Sequence, residues 1–543
     1  MQFGKLTLPL PPGRRTASDA DGLPAGRTDR ANSIALAALC TLLFLTFLDN
    51  TVVSVGLGSL QTDLHASVAE LQWVIGAYAL TFASIMLACG MIGDELGRKK
   101  VMLTGAGVFC AGSVLCALAP NAQTLIAGRA IMGLGAAASE PGTLSVLRHI
   151  YTDDRARAWA IGIWAAVSGL ALALGPVIGG AIVGAWNWRG IFWFNLFFGL
   201  AALLVALVVV PESADPTAAR VDTAGTVLGA GALATLVFAI ITSETSGFGS
   251  PTVVGLLCAS AVFAVSFALW ERRAANPLID LKFFRLVRFT VPNIVAFCTY
   301  FATFAIFFFT ALYLVEVPSD SGYVIAAVFA PMTVLMIIAS LLTGYWAGVT
   351  GPRWPITIGC VLFGAGLLLA NPLITPHPNY VLLALALCVA GIGIGITVVP
   401  VTTTVMNAVP PDRSGMAASV ANTSREIGAV TGVAILGALV FSRLNASLTT
   451  HLVQLGVPVS YKNLILSFIE TGQVTGNLNQ YSSYGPIVQK VIGAAYDSFG
   501  DGLHAALYLS AGLVLFAALL AAITLREVPA SSSLDTGELV SDA

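Results

Sequence analysis

A few charged residues fall inside the long apolar stretches of this chain, and their chemistry is the first clue to its role. Asp49 lies in the stretch TFLDNTVV, Arg129 and Glu140 lie in a second stretch, and Arg425 and Glu426 are adjacent in a third. A charge inside a membrane-spanning helix costs at least ~2.5 kcal/mol on insertion scales, so each one needs a partner, a cavity or a function. Carboxylates in such positions commonly carry protons.

The two isolated carboxylates each stand beside a polar or irregular feature. Asp49 is followed by Asn50 and Thr51, a polar notch that suits a carboxylate alternating between protonated and ionised forms as water reaches it. Glu140 precedes Pro141, where a freed backbone carbonyl favours a polar cavity. We predict that Asp49 and Glu140 bind protons or a cation; structural hydrogen bonds to neighbouring helices are the alternative.

The arginines are predicted to set the charge state of these carboxylates. Arg129 and Glu140 share a helix face but lie about 16 Å apart along the axis, so they cannot pair directly. We expect Arg129 to attract a carboxylate of another helix, such as Asp49, either to tune its charge or as a purely structural pair. Arg425 and Glu426 point about 100° apart on a helix. We expect Glu426 to face a cavity and Arg425 to meet a neighbouring helix or the membrane interface.

The composition is that of an integral membrane protein. The 543 residues are 57% hydrophobic and 10% charged, whereas soluble domains carry roughly 25% charged residues. A soluble enzyme is therefore excluded, and no catalytic residue or cofactor is predicted. The eight cysteines fall in apolar segments without metal-like spacing, so no metal site is expected. The net charge of −2 gives no reason to expect a nucleic-acid partner.

Hydropathy predicts an all-α chain of about fourteen spans, at about 20 apolar residues per crossing. Most of the 26 lysines and arginines fall in segments that are cytoplasmic if the N-terminus is inside, which predicts that both termini are cytoplasmic. The predicted spans are 33–57, 71–93, 101–118, 123–147, 158–184, 190–210, 223–241, 251–270, 289–315, 321–347, 355–371, 380–405, 416–441 and 502–525.

Two connections are unusual. Residues 271–288 alternate basic and apolar residues and are predicted to lie as an amphipathic segment on the cytoplasmic interface. Residues 442–501 form a long outer connection with helical spacing, either a partly inserted hairpin or cap over an outer opening, or an ordinary structured loop. The aromatic run 301–309 either lines a substrate cavity or packs against lipid and core.

Several motifs resemble those of the major facilitator superfamily, in particular its fourteen-span drug:proton antiporters. GMIGDELGRKK, residues 90–100, resembles the cytoplasmic loop signature between spans two and three, with Glu95 replacing a basic residue. The fifth span resembles the antiporter signature, with Ala171 replacing its second glycine; LDNTVV, residues 48–53, resembles the first-helix motif. The matching loop residues are Gly90, Asp94, Gly97, Arg98 and Lys99. The matching antiporter residues are Gly162, Gly175, Pro176, Gly179 and Gly180.

This resemblance implies two six-helix bundles, 33–210 and 289–525, the second of which includes the outer loop 442–501. Two inserted helices and the amphipathic linker would occupy 211–288, and cytoplasmic tails would occupy 1–32 and 526–543. A monomer in the cell inner (plasma) membrane is expected. The cytoplasmic loop would act as a gate, and the glycine-rich fifth span would allow close, movable helix packing.

The function that the resemblance implies is proton-coupled multidrug or antibiotic efflux by alternating access. Asp49, Glu140 and Glu426, with Arg129, would couple protons to a small lipophilic or cationic substrate drawn from the cytoplasm or membrane lipid. Export of lipids or lipid conjugates on the same fold is the first alternative. A non-transporting membrane sensor is the second, although the antiporter signature argues against it. The chain contains no GxxxxGK[ST] motif for nucleotide binding.

Overall fold

A computed structural model describes residues 25–151, 153–212, 222–247, 249–274, 281–318, 322–410, 414–455 and 486–525. Every regular element in these ranges is a helix, and none is a β-strand, which confirms the predicted all-α class. Twelve helices within the described ranges are long and apolar enough to cross a membrane. The predicted count of fourteen spans stays a prediction.

The helices of the first half follow the predicted spans in order. The first predicted span, 33–57, corresponds to a long helix followed by a 3₁₀ turn, Val53–Gly56, and by a short helix that extends beyond residue 57. The helices are α1 Ala25–Val52, α2 Leu57–Leu64, α3 Val68–Leu96, α4 Arg98–Ala117, α5 Ala122–Ile150, α6 Asp154–Ala185, α7 Arg189–Val209, α8 Thr223–Ser246 and α9 Pro251–Glu271.

The second half begins, in the described ranges, with a 3₁₀ turn, Leu281–Arg285, and a π-helical segment, Ala305–Thr310, lies between the first two helices. The helices are α10 Val287–Phe304, α11 Ala311–Glu316, α12 Gly322–Thr350, α13 Arg353–Ala370, α14 Tyr380–Asn407, α15 Ser414–Gln454 and α16 Pro486–Thr524.

The helices pack as two groups with a helical pair beside them. One group contains α1 and α3–α7, and the other contains α10 and α12–α16; we call them the N-bundle and the C-bundle. They contact each other mainly through α6 with α12 and through α3 with α15. The pair α8–α9 covers the second of these seams: α8 contacts both α3 and α15, and the rings of Trp73 and Phe238 lie 5.3 Å apart. The domain boundaries predicted from the sequence stay predictions.

The long outer connection, predicted over 442–501 with helical spacing, is helical at both of its described ends, and the choice among a hairpin, a cap and an ordinary loop stays a prediction. Helix α15 runs on to Gln454 and α16 already begins at Pro486, so both ends of this stretch are helical. The extensions pack together through Leu448, Leu452 and Ala495. The candidate membrane spans Ser419–Gln454 and Lys490–Thr524 include the first extension and most of the second. Residues 456–485 lie outside the described ranges.

The other two irregular segments are partly described. Residues 275–280 of the predicted amphipathic linker lie outside the described ranges. In the rest, Phe283 and Phe284 pack against Phe289 at the start of α10, with ring centroids 5.9 and 5.3 Å away. The aromatic run 301–309 packs in the core, since its described phenylalanines are buried.

Glycines on α6 let this helix pack closely against α1 in its own bundle and against α12 in the C-bundle. A Cβ atom added at Gly179 would lie 2.6 Å from the carbonyl oxygen of Val52 on α1. At Gly180 it would lie 2.5 Å from the carbonyl oxygen of Gly322 on α12. Both obstacles are backbone atoms, so a side chain would force the helices apart. Helix α6 therefore joins the N-bundle core to the C-bundle.

We expect Gly179→Ala to lower the free energy of unfolding by about 1–3 kcal/mol, because the added methyl group overpacks the α1–α6 contact. The measurement is thermal unfolding of the detergent-solubilised protein. Gly107→Ala on α4 is the matched control, since no atom lies within 4 Å of its added Cβ. Equal melting temperatures for the two variants would contradict the prediction.

Candidate functional site

The charged residues singled out from the sequence meet at the centre of the protein. Asp49, Arg129, Glu140, Arg425 and Glu426 are all 3% exposed or less. They come from α1, α5 and α15 and lie where the N-bundle faces the C-bundle. We call these five residues the central charge cluster. It divides into an ion pair within the N-bundle and a polar seam between the bundles.

The ion pair joins Asp49 on α1 to Arg129 on α5. The second oxygen of Asp49 accepts a hydrogen bond from Nδ2 of Asn195 on α7, at 2.6 Å. Arg129 also donates from Nε to the carbonyl oxygen of Val74 on α3, at 2.8 Å. Its guanidinium lies over the ring of Tyr78, with Cζ 4.4 Å from the ring centroid. Four helices of the N-bundle are therefore tied together by one pair of buried charges.

The polar seam holds the two glutamates through amide side chains. Asn50 on α1 donates from Nδ2 to Oε1 of Glu426 on α15, at 3.1 Å. Asn422 on α15 donates from Nδ2 to Oε1 of Glu140 on α5. Within the described residues, the Oε2 atoms of both glutamates are buried without a hydrogen-bond partner. Each glutamate thus keeps one oxygen available for a proton or a substrate donor.

Arg425 makes its hydrogen bonds in the described part of the chain to neutral groups. Nη1 donates to Oδ1 of Asn422 at 3.0 Å, and Nη2 donates to Oγ1 of Thr402 on α14. Its Cζ lies 5.6 Å from the centroid of the Tyr300 ring on α10. The cation therefore lies at the seam beside Asn422, which holds Glu140. Arg425 faces the protein interior, as does Glu426.

Sequence reasoning missed several members of this site. Asn195 is a lone amide in the apolar run IFWFNLFFG, and Asn422 lies one turn before Glu426 on α15. Both are buried. A neutral amide in a membrane-spanning segment was the available signal, since it too needs an internal partner in lipid. The partner itself is set by helix packing.

The cytoplasmic loop signature forms a tight helix–helix turn. Gly97 ends α3 and precedes α4 with a φ of +109°, a conformation that favours glycine. Lys99 donates from Nζ to the carbonyl oxygen of Leu207 at 2.8 Å, and its backbone N–H donates to Oε1 of Glu212 at 3.1 Å. Arg98 lies in the first turn of α4. The loop is therefore fastened to the end of α7.

Two residues of that signature bear on the seam differently. A Cβ atom added at Gly90 on α3 would lie 3.9 Å from Oγ of Ser419 on α15, so Gly90 borders the contact between the bundles. Asp94 belongs to α3, but its side chain lies outside what the structure describes.

The antiporter motif lies along α6. Gly175 approaches Thr51 and the backbone of α1 so closely that a side chain there would collide with them. Gly179 and Gly180 contact α1 and α12, as described above, and Pro176 stands inside the continuous helix. Gly162 lies on the same helix, outside the positions whose surroundings are described.

A groove separates α6 from α12 and α14 in the half of these helices that is predicted to be cytoplasmic. It has a volume of about 180 Å³ and is lined almost wholly by apolar side chains, among them Val167, Met336 and Val398. Leu341 at its edge is 64% exposed. The helices therefore touch at one end and part toward the other.

Comparisons with known proteins agree with this architecture. Residues 39–433 match the family model described as Major Facilitator Superfamily. The chain is 31% identical over 490 residues to Multidrug resistance protein Stp of Mycobacterium tuberculosis (strain CDC 1551 / Oshkosh), covering 89% of this chain and 90% of that protein. It is 35% identical over 405 residues to Methylenomycin A resistance protein of Bacillus subtilis (strain 168), covering 75% of this chain and 87% of that protein.

A solved structure supports the same fold. A bacterial homolog to the human lysosomal transporter Spinster, in an inward-facing and unoccupied conformation, superposes with a TM-score of 0.61. The superposition covers 91% of this chain and 97% of the solved chain. The two sequences are 18% identical, so the similarity concerns the fold alone. The resemblance seen in the sequence motifs is confirmed, and the chain belongs to the Major Facilitator Superfamily.

Proposed function

We propose that this protein exports small lipophilic or cationic drugs or antibiotics across the plasma membrane in exchange for protons, by alternating access. The observation that carries the proposal is the central charge cluster, which contains three buried carboxylates where the two bundles meet. Relatives named for resistance to drugs and to methylenomycin A support export as the direction of transport. The proposal takes both chain termini to be cytoplasmic and the protein to act without enzymatic chemistry.

The three carboxylates have different roles in this proposal, because their surroundings differ. Asp49 is neutralised by Arg129 and serves chiefly to hold the N-bundle together and to respond when Arg129 moves. Glu140 and Glu426 keep an oxygen without a partner among the described residues, so they exchange protons when water reaches the seam. A cationic substrate would compete with those protons for the same oxygens. Competition for one site is the simplest basis for exchange.

The route for a lipophilic substrate is the groove between α6 and α12. Its apolar lining and its position in the predicted cytoplasmic half suit a molecule that arrives from the inner leaflet. On α6, Trp164 follows Ile163 of the groove and donates to Oγ1 of Thr143 at 2.9 Å. On α14, Val398 of the groove lies one turn from Thr402, which binds Arg425. The groove thus lies one helical turn from Thr402, the hydrogen-bond partner of Arg425 in the central charge cluster.

Lipid export is the second candidate, because the groove is open at its edge where Leu341 is exposed. Movement of a labelled lipid in proteoliposomes would favour it. Movement of a fluorescent lipophilic cation that is inhibited by a proton uncoupler would favour drug efflux.

We expect Asp49→Asn to abolish efflux of a fluorescent lipophilic cation from energised cells and to destabilise the protein by about 3–5 kcal/mol, because Arg129 is left as an unpaired buried charge. In Asp49→Asn/Arg129→Met, both charges are gone, so thermal stability should largely return while efflux stays lost. If the double variant exports the dye like wild type, the ion pair has only a structural role.

We expect Glu140→Gln and Glu426→Gln to abolish proton-driven efflux while the protein still folds, because glutamine keeps the size of the side chain but does not take up a proton. The measurement is the dye gradient that proteoliposomes build from an imposed pH gradient. Asp497→Asn, which removes an exposed carboxylate on α16, is the matched control and should behave like wild type. A full gradient in both glutamine variants would place proton coupling elsewhere.

A further inference from the structure

The two bundles are joined at the seam by a reciprocal pair of hydrogen bonds. An amide of the N-bundle, Asn50, donates to a carboxylate of the C-bundle, Glu426. An amide of the C-bundle, Asn422, donates to a carboxylate of the N-bundle, Glu140. We call these two bonds the amide clasps. Their donors are 6% and 8% exposed and their acceptors 2% and 1%, so water does not replace them in this conformation.

The clasps are the place where proton binding and bundle movement meet. An asparagine amide does not titrate, so the carboxylate alone decides the charge of each clasp. Alternating access requires the two bundles to rock against each other. Both clasps cross the interface between the bundles, along which this movement takes place. Rocking must therefore break them.

Other charged and titratable groups around the clasps are few in the described residues. Arg425 faces the clasps from α15, Tyr300 faces them from α10, and Tyr78 faces them from α3. Asp49 and Arg129 lie nearby but neutralise each other. The charge on Glu140 and Glu426 is thus the variable part of the seam.

The strength of each clasp depends on that charge. A hydrogen bond to an ionised carboxylate is roughly twice as strong as one between neutral groups. A proton on Glu140 or Glu426 therefore weakens its clasp. A substrate inserted between the bundles would take the place of the amide and remove the clasp altogether.

We propose that Asn50 and Asn422 are positioning residues that hold the bundles together when the transporter is empty and unprotonated. This inference rests on the proposed function as an exchanger. Exchange works only if the transporter changes conformation with protons or with substrate bound and stays still with neither. The amide clasps are at full strength in that third state, so they oppose the movement that would let substrate leak without proton exchange.

The transport test compares Asn50→Ala/Asn422→Ala with wild type in proteoliposomes at alkaline pH and without a pH gradient. We expect the double variant to equilibrate a fluorescent lipophilic cation about tenfold faster, since it loses two charge-assisted hydrogen bonds. The gradient that it builds from an imposed pH difference should fall. Asn293→Ala is the matched control, because this buried amide donates to Phe289 within the C-bundle, at 2.7 Å. It should show no leak.

A second test needs no substrate. Spin labels on Leu118→Cys and Val381→Cys report the distance between exposed helix ends of the two bundles, with Cys258→Ser removing the exposed native cysteine. In wild type, the fraction of molecules with the shorter label-to-label distance should rise with pH, because the clasps strengthen and hold the bundles together. The rise should be lost in Asn50→Ala/Asn422→Ala. It should reverse in Asn50→Asp, where two facing carboxylates repel at alkaline pH and share a proton at acid pH.

The outcomes separate the two proposals. If the double alanine variant keeps both the wild-type leak rate and the wild-type pH response of the label distance, the clasps do not control the movement and the inference is wrong. If wild type moves no dye but the labels respond as expected, the clasp mechanism stands and the proposed substrate is wrong.

Discussion

The structure depends on how a membrane protein buries charge. An unpaired aspartate or arginine at the centre of the fold would carry a large desolvation cost, and pairing Asp49 with Arg129 removes most of it. One oxygen of Asp49 accepts from Asn195, and Nε of Arg129 donates to the carbonyl oxygen of Val74, so the pair determines how α1, α3, α5 and α7 stand relative to one another. The charges of this pair are therefore balanced within the N-bundle.

The C-bundle is built differently, and this asymmetry makes the seam responsive. Its buried cation, Arg425, donates to neutral side chains in the described structure and not to a carboxylate of its own bundle. Glu426 and Glu140 instead take amide donors from the opposite bundles. The ion pair inside the N-bundle makes that bundle rigid. The hydrogen bonds of the glutamates across the seam, in contrast, change when a glutamate is protonated or when the bundles move.

Packing around the seam is uneven in a way that suits movement along one direction. The α8–α9 pair covers the side where α3 meets α15. On the other side α6 touches α12 through Gly180 at one end, and an apolar groove lies between them toward the other end. Glycines permit the close contact because their Cα atoms bring backbones together without side chains. The groove side is thus both the looser contact and the place where a lipophilic molecule can approach.

The helical membrane class, the order of the spans and the charged residues inside them can all be predicted from the sequence, because hydropathy and insertion cost are properties of short segments. The family motifs in the loop and in α6 are also visible in the sequence. Which polar residues meet depends on the fold, because Asn50 and Glu426 are 376 residues apart in the chain and their contact requires particular helix faces to pack together. The described ends of the 442–501 connection are helical, as their spacing predicts, but the contact between these ends through Leu448, Leu452 and Ala495 is again a matter of packing.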